Sequence, residues 1–272
     1  MSQKNHDAKR SAREALQVQR EKDRARARRK RSLAVAGGVG AVLAVAAGVG
    51  VALANRDSGG GSDSAGAVSA PHGAIGKDQL VIPVGAADAP STLTIYEDFR
   101  CPACDAFEKG FTPTVHSLED SGRIRTEYHP VTIIDGNLGG SGSLNAANAA
   151  ACAQDQGRFR AYHDVLYGNQ PDEQDDKFAD KNTLLTLAAK VPGLKTPAFT
   201  SCVNGGTHNT WVKKSNDAFG ASGYDSTPTV LLNGKNVYGT GSAALTPASL
   251  KAMVTAANKG KKPGTVTATP SP

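Results

Sequence analysis

Two cysteines three positions apart, Cys101 and Cys104, stand where the sequence changes from a strand pattern to a helix pattern. Residues 91–99 are rich in β-branched and aromatic residues and predict a strand. Residues 104–120 predict a helix, bent or interrupted at Pro113. The N-terminus of a helix offers free N–H groups and the positive end of the helix dipole, and both stabilise a thiolate. The position therefore predicts a redox pair, with Cys101 as the nucleophile and Cys104 as the resolving thiol.

Two other interpretations of the pair stay open at this point. A zinc site needs two more ligands, but Cys152 and Cys202 have no second Cys or His two to five residues away, and the six histidines form no cluster in the sequence. Two inert thiols would suit a reducing compartment. The sequence predicts no metal site and requires no cofactor.

The net charge of +6 comes from one end of the chain. Residues 1–31 contain 12 Lys+Arg and 4 Asp+Glu, and the remainder of the chain is slightly acidic. A basic arm of this kind is typical of a solvated segment. The charges in the rest of the sequence do not predict a basic domain surface. We therefore expect no nucleic-acid partner.

Residues 33–54 contain no charged residue and are long enough to cross a membrane, which needs about 20 apolar residues. The Arg28-Arg29-Lys30-Arg31 run before them predicts a cytoplasmic N-terminus, 1–32, and an extracytoplasmic remainder. A signal peptide cleaved near Ala54 is the alternative, and it would give a secreted protein. Residues 55–74 are typical of a flexible linker and 259–272 of a disordered tail, which leaves 75–258 as the folded domain.

Within the domain, residues 123–134 predict a second strand, parallel to the first because a helix separates the two. Helical patterns dominate residues 143–222. Residues 227–238 predict two short strands around an Asn233-Gly234 turn, and residues 246–258 predict a final helix. The predicted class is α/β, in the order β-α-β, helical insertion, β-β-α.

Three stretches in this order resemble the DsbA type of thioredoxin-fold protein: EDFRCPAC at 97–104, ACAQDQGRFRAYHDVLYG at 151–168 and STPTVLLNG at 226–234. The chain is most similar to membrane-anchored or secreted DsbA-like proteins of actinobacteria. The resemblance implies a thioredoxin fold with an inserted helical domain, here following one N-terminal transmembrane helix. It also implies disulfide exchange on exported proteins.

The resemblance assigns the attack to Cys101, the resolution to Cys104 and the cis-proline of the family to Pro228. Thr227 and Pro228 would then offer backbone groups to a substrate strand. Many thioredoxin-fold proteins carry a buried acid six residues before the first cysteine, but that position holds Ile95 here. Glu97 lies two residues later on the same strand face, so it is a candidate proton acceptor. The alternative is a carboxylate that reaches solvent at the strand end.

Two further features follow from the same comparison. DsbA has a His between its cysteines, whereas this chain has Pro102-Ala103, so we expect a weaker oxidant than DsbA. With Cys101 and Cys104 paired, Cys152 and Cys202 would form a structural disulfide. His163 fits a packed helix residue better than a catalytic one.

The first function to consider is a thiol:disulfide oxidoreductase that acts as an oxidase on exported proteins. An oxidase needs re-oxidation, for which we expect a quinone-linked membrane partner. A reductase or isomerase of the same fold is one alternative, because the sequence does not fix the reduction potential. A redox-inert peptide-binding module is another, but the intact cysteine pair disfavours it.

Overall fold

The computed structural model of the chain describes residues 68–239 and 244–266. The basic arm 1–32, the apolar run 33–54 and most of the linker 55–74 lie outside these ranges. Across the two described ranges, no helix combines the length and the apolar character that a membrane crossing requires. The anchor and its orientation stay predictions.

Five short strands form one mixed sheet within the described residues. They are β1 (Ile82–Gly85), β2 (Thr92–Glu97), β3 (Arg125–Pro130), β4 (Thr229–Leu232) and β5 (Lys235–Asn236). The spatial order is β1-β3-β2-β4-β5, with β2 parallel to β3 and all other neighbours antiparallel. Asn233 and Gly234 turn the chain between β4 and β5 with φ values of 50° and 80°. The predicted parallel pair and the predicted hairpin are both confirmed.

The helices surround this sheet and fill the segment between β3 and β4. They are α1 (Pro102–Asp120), α2 (Ile133–Leu138), α3 (Gly142–Asp155), α4 (Phe159–Gly168), α5 (Lys181–Ala188), α6 (Pro197–Gly205), α7 (Asn209–Ala221) and α8 (Pro247–Ala257). The predicted order of a β-α-β unit, a helical insertion and a β-β-α unit is confirmed.

Helix α1 positions both cysteines and is continuous through Pro113, so of the two expectations the interruption is wrong and the bend stays a prediction. Phe107, Phe111 and Val115 are buried along its length, at the four-residue spacing of one helix face. Because tertiary packing supplies most of the stability of a helix, this apolar face offsets the hydrogen bond that a proline removes.

The two faces of the sheet meet different helices. Tyr96 of β2 contacts Phe219 of α7, at 5.2 Å between ring centroids. The next residue, Glu97, faces the opposite side because successive side chains of a strand alternate. On that side it meets His163 of α4. The end of β2 therefore places a carboxylate in the same layer as α1 and α4.

The second predicted strand, 123–134, is too long. β3 ends at Pro130, and Ile133 and Ile134 begin α2. The Ile134 N–H donates to the buried Asp98 carboxylate at 2.9 Å, so a side chain from the β2–α1 loop stabilises the start of this short helix. Strand β1 and helices α2 and α6 were not expected from the sequence, since each is short and lacks a clear period.

The folded domain also extends beyond the predicted limits of 75–258. The His72 N–H donates to Asp155 at 2.7 Å, which docks the end of the predicted linker. At the other end, the Gly264 N–H donates to the Gly122 carbonyl at 2.8 Å, and the Thr265 N–H donates to Asp88 at 2.7 Å. The expected disorder is therefore wrong for residues 259–266.

Candidate active site

Cys101 and Cys104 occupy the start of α1, as the sequence predicts. Cys101 is the N-cap residue, and its carbonyl accepts the N–H groups of Cys104 and Asp105 at 3.0 and 3.1 Å. Both cysteines are free thiols. Cys101 retains 7% of its surface, whereas Cys104 is fully buried. Of the two cysteines, only Cys101 has surface that another protein can contact.

The two thiols differ in acidity for identifiable reasons. A hydrogen bond from Cys104 lowers the pKa of Cys101 to about 6, against burial, with help from the Thr227 side chain and the N–H groups of Cys104 and Ala103. Burial and the neighbouring Cys101 raise the pKa of Cys104 well above its ordinary value. At neutral pH the pair therefore holds one thiolate, on Cys101, and one thiol, on Cys104.

A loop from the far end of the sequence faces Cys101. The Thr227–Pro228 peptide bond is cis. The Cys101 sulfur lies 3.4 Å from the Thr227 carbonyl oxygen, to which it donates when it is protonated, although 126 residues separate the two. Strand β4, which follows this loop, pairs with β2, which precedes Cys101, so the sheet itself brings the two loops together. Cys101 and Thr227 therefore lie side by side, and the buried Pro228 follows Thr227 in the chain.

Glu97 does not reach solvent, so that alternative is wrong. Its side chain is 1% exposed, and its Oε1 lies 3.0 Å from Nε2 of His163, which is also buried. Glu108 joins them, with one oxygen of each carboxylate and a ring nitrogen of His163 all within 4.8 Å of one another. The sequence did not single out Glu108. Its spacing of four residues from Cys104 was the available signal, because residues four apart share a helix face.

Charges within this cluster compensate one another. Burial raises the pKa of Glu108 to about 8, so this carboxyl is protonated at neutral pH. Burial alone would lower the pKa of His163, but Glu97, Asp164 and Glu108 together raise it well above its ordinary value. A cationic imidazole therefore lies between carboxyl groups behind the cysteine pair.

The helical insertion holds the start of α1 in place. The buried Arg100 guanidinium bonds to Asp135 at 2.7 Å and lies 3.1 Å from Asp176. Gln170, just after α4, donates its side-chain amide to the Cys101 carbonyl at 3.1 Å. Insertion residues thus contact the backbone that carries the nucleophile.

The other cysteines, Cys152 of α3 and Cys202 of α6, are joined in a disulfide. His208 lies beside them, and this trio is one of two described groups close enough to hold a metal ion, the other being Glu97, Glu108 and His163. Sequence spacing predicted neither group. The disulfide occupies both sulfurs of the first, and the second is enclosed in the core.

Comparisons with known proteins agree with this geometry. A family model described as thioredoxin matches residues 77–256. Disulfide bond formation protein D of Bacillus subtilis (strain 168) is 26% identical over 155 residues, which are 56% of this chain and 67% of that protein.

Two solved structures from Mycobacterium tuberculosis are similar over nearly their whole length. The reduced form of DsbA is 30% identical with a TM-score of 0.57, covering 68% of this chain and 95% of that one. The reduced form of the disulfide bond oxidoreductase DsbG is 31% identical with a TM-score of 0.56, covering 67% and 89%. Residues 77–256, which the family model matches, contain the sheet, the insertion and the cysteine pair described above.

Proposed function

This chain belongs to the thioredoxin family, as a DsbA-like thiol:disulfide oxidoreductase, and from that membership we propose that it is an oxidase that introduces disulfides into exported proteins through Cys101 and Cys104. The related proteins from Bacillus and Mycobacterium carry names of disulfide chemistry, and the arrangement of the two thiols supports the same chemistry here.

The difference in acidity between the two thiols carries this proposal. A stabilised Cys101 thiolate favours the reduced pair, so it makes the disulfide form a stronger oxidant. The pKa of Cys101, about 6, lies below the ordinary thiol value of about 8.5 and above the extreme of about 3.5 found in DsbA. An oxidant of intermediate strength follows, which agrees with the absence of a His between the cysteines.

In the oxidase direction a substrate thiolate attacks the Cys101 sulfur of the Cys101–Cys104 disulfide. The new bond joins substrate and Cys101, and Cys104 leaves with the electron pair and takes up a proton. A second substrate thiolate then attacks the substrate sulfur of this mixed disulfide. The substrate disulfide forms, and Cys101 leaves as its stable thiolate. The substrate loses two electrons, and the protein retains them as its dithiol.

The cis Thr227–Pro228 loop supports a binding role in this reaction. It lies against Cys101, the member of the pair that retains exposed surface, and the Thr227 carbonyl is 3.4 Å from the Cys101 sulfur. A substrate segment bound there in extended form would form hydrogen bonds with backbone groups of the loop. Because such bonds use the main chain of the substrate, they accept many substrate sequences. Such binding suits an enzyme that acts on varied proteins.

A reductase or an isomerase is the second candidate, because a dithiol pair on the same fold can exchange electrons in either direction. Direction depends on the reduction potential relative to the compartment. A redox-inert peptide-binding module would retain the loop but would gain nothing from the two thiols.

The proposed location is extracytoplasmic, with residues 33–54 as an uncleaved anchor and 1–32 in the cytoplasm. The apolar run and the preceding cationic cluster support it. A quinone-linked partner in the same membrane would re-oxidise Cys101 and Cys104. Release after cleavage near Ala54 is the alternative.

The reduction potential of the Cys101–Cys104 pair tests the proposal. The whole chain is equilibrated with glutathione buffers, and the fraction of reduced pair is read by alkylation and mass spectrometry. We expect a value between about −270 mV, as in thioredoxin, and about −120 mV, as in DsbA. A reduction potential below that of thioredoxin would identify a reductase. A pair that does not exchange at all would support the redox-inert binding module instead.

A further inference from the structure

His163 connects the buried cluster behind the cysteines to a polar cleft elsewhere on the domain. Its Nε2 lies 3.0 Å from Glu97, and its Nδ1 lies 3.6 Å from Oδ1 of Asp164. The same Oδ1 lies 3.5 Å from Nε2 of His116. Asp164 is 35% exposed and His116 is 21% exposed, so this row of polar side chains leads from a closed core to solvent.

The inner end of this row of side chains lies at Cys104. Cys104 lies four residues before Glu108 on the same face of α1, and Glu108 forms one cluster with Glu97 and His163 within 4.8 Å. The charge of Glu97 also raises the pKa of the Cys104 thiol. Among the described residues, Oε2 of Glu97 is buried and has no hydrogen-bond partner. This oxygen is free to take a proton from Cys104 or to give one to it.

The outer end lies in a cleft of about 890 Å³ between α1, α4 and the residues after β1. Its lining includes Asp88, His116, Glu119, Arg160 and Asp164. The buried Oδ1 of Asp164 accepts no hydrogen bond within the described ranges, although two imidazoles flank it. His116 lies 14 positions after Pro102, which corresponds to about 20 Å along α1 at 1.5 Å per residue. The cleft is thus remote from the start of that helix.

We propose that Glu97, His163 and Asp164 form a proton relay that joins the Cys104 thiol to this cleft. The inference rests on the proposed exchange reaction and deepens it, because it assigns a route to the proton of the resolving cysteine. Glu97 exchanges the proton with Cys104, while His163 and Asp164 act through Glu97 as positioning and relay groups.

The exchange reaction creates a need for such a route. When the Cys101–Cys104 bond opens, Cys104 leaves with the electron pair in a fully buried position. The bound substrate covers the Cys101 and Thr227 surface at that moment, so water has no access from that side. The relay supplies the proton from behind: the His163 imidazolium passes a proton by way of the Glu97 carboxylate to the Cys104 sulfur and becomes neutral, and the cleft restores His163 at Nδ1 through Asp164. During re-oxidation the proton of Cys104 leaves by the same atoms.

The groups around His163 suit a relay in which the imidazole receives one proton for each proton that it releases. Glu97 of β2, Glu108 of α1 and Asp164 of α4 face it with carboxyl groups, and Tyr128 and Tyr167 close the remaining sides with their rings. An imidazole has two nitrogens, so it can receive a proton at one and release it at the other. Glu108 faces the ring but lies away from the path to the cleft.

Substitution of the exposed relay residue gives the cleanest test. Asp164→Asn removes the proton-carrying group, while Asp120→Asn removes a carboxylate that lines the same cleft and bonds to Arg160. The oxidised whole chain is mixed with dithiothreitol from pH 5 to 8, quenched with acid, and scored by alkylation and mass spectrometry. We expect Asp164→Asn to open the disulfide at least about tenfold more slowly at pH 7, within the range that proton transfer contributes. Added imidazole should restore its rate, and Asp120→Asn should follow the unmodified chain.

His163→Gln gives a second, independent result. It should slow opening at least as much as Asp164→Asn but resist rescue by imidazole, because its site is closed to solvent. Identical pH–rate profiles for Asp164→Asn, Asp120→Asn and the unmodified chain would overturn the relay. The glutathione equilibrium of Asp164→Asn should stay within about twofold of the unmodified chain, because a relay changes rates. If the unmodified chain fails to exchange at all, the proposed function fails first, and this outcome is distinct from a failure of the relay.

Discussion

The two cysteine pairs of this chain have the same composition but different surroundings. Cys101 and Cys104 begin α1, where free N–H groups stabilise a thiolate. Cys152 lies in the last turn of α3, where the carbonyl end of the helix disfavours negative charge, and it is fully buried. The first pair is therefore suited to exchange, whereas the second is suited to a lasting bond. Position on a helix, more than the sulfur itself, separates a reactive pair from a structural one.

The largest expected effect comes from single substitutions in the reactive pair. Cys101→Ser should abolish exchange, because no other exposed thiolate can attack. Cys104→Ser should retain the attack but lose the resolution, so it should accumulate mixed disulfides. Non-reducing electrophoresis of each variant, incubated with a disulfide-containing protein whose bond the Cys101 thiolate can attack, measures this difference. Equal trapping by both variants would reverse or remove the roles assigned to the two sulfurs.

Removal of the second pair should affect stability and leave the chemistry intact. Cys152→Ala with Cys202→Ala opens a disulfide between residues 50 positions apart. The chain-entropy model predicts a loss of about 4 kcal/mol in the free energy of unfolding for such a loop. Urea unfolding measures the loss, and the glutathione equilibrium of Cys101 and Cys104 serves as the control. Loss of exchange with unchanged stability would contradict the division of roles between the pairs.

The smallest expected effect is a shift in the pH at which the Cys101 thiol becomes reactive. The alkylation rate of Cys101 should reach half its maximum near pH 6, its pKa in the folded protein, while Cys104 stays unreactive at neutral pH. Because folding lowers the pKa of Cys101, its thiolate stabilises the reduced protein fully above the unfolded pKa, about 9. That stabilisation is lost as the pH falls through about 6. Thermal unfolding of the reduced protein across this range tests the sign. Faster alkylation of Cys104 than of Cys101 would refute the assignment.

Local sequence signals predicted much of the fold and half of the site. The Asn233-Gly234 turn and the Thr246 cap, whose hydroxyl accepts the Ser249 N–H at 3.1 Å, each involve a few neighbouring residues. Strand β1 and helix α2 escaped prediction because short elements carry too few residues to show a period. The Ile133-Ile134 pair favours a strand locally, yet Asp98 caps a helix there.

The sequence alone determined the redox pair at a strand-to-helix junction and the pairing left to Cys152 and Cys202, because these depend on neighbouring residues and on the number of cysteines. The resemblance to DsbA-type proteins marked Pro228, whose bond to Thr227 is cis. Only the tertiary structure decided that Glu97 is buried, that His163 meets it across 66 residues, and that Glu108 completes the cluster. Their protonation depends on burial and on one another, since a carboxylate at a strand end is an ordinary surface group until α1 and α4 pack over it.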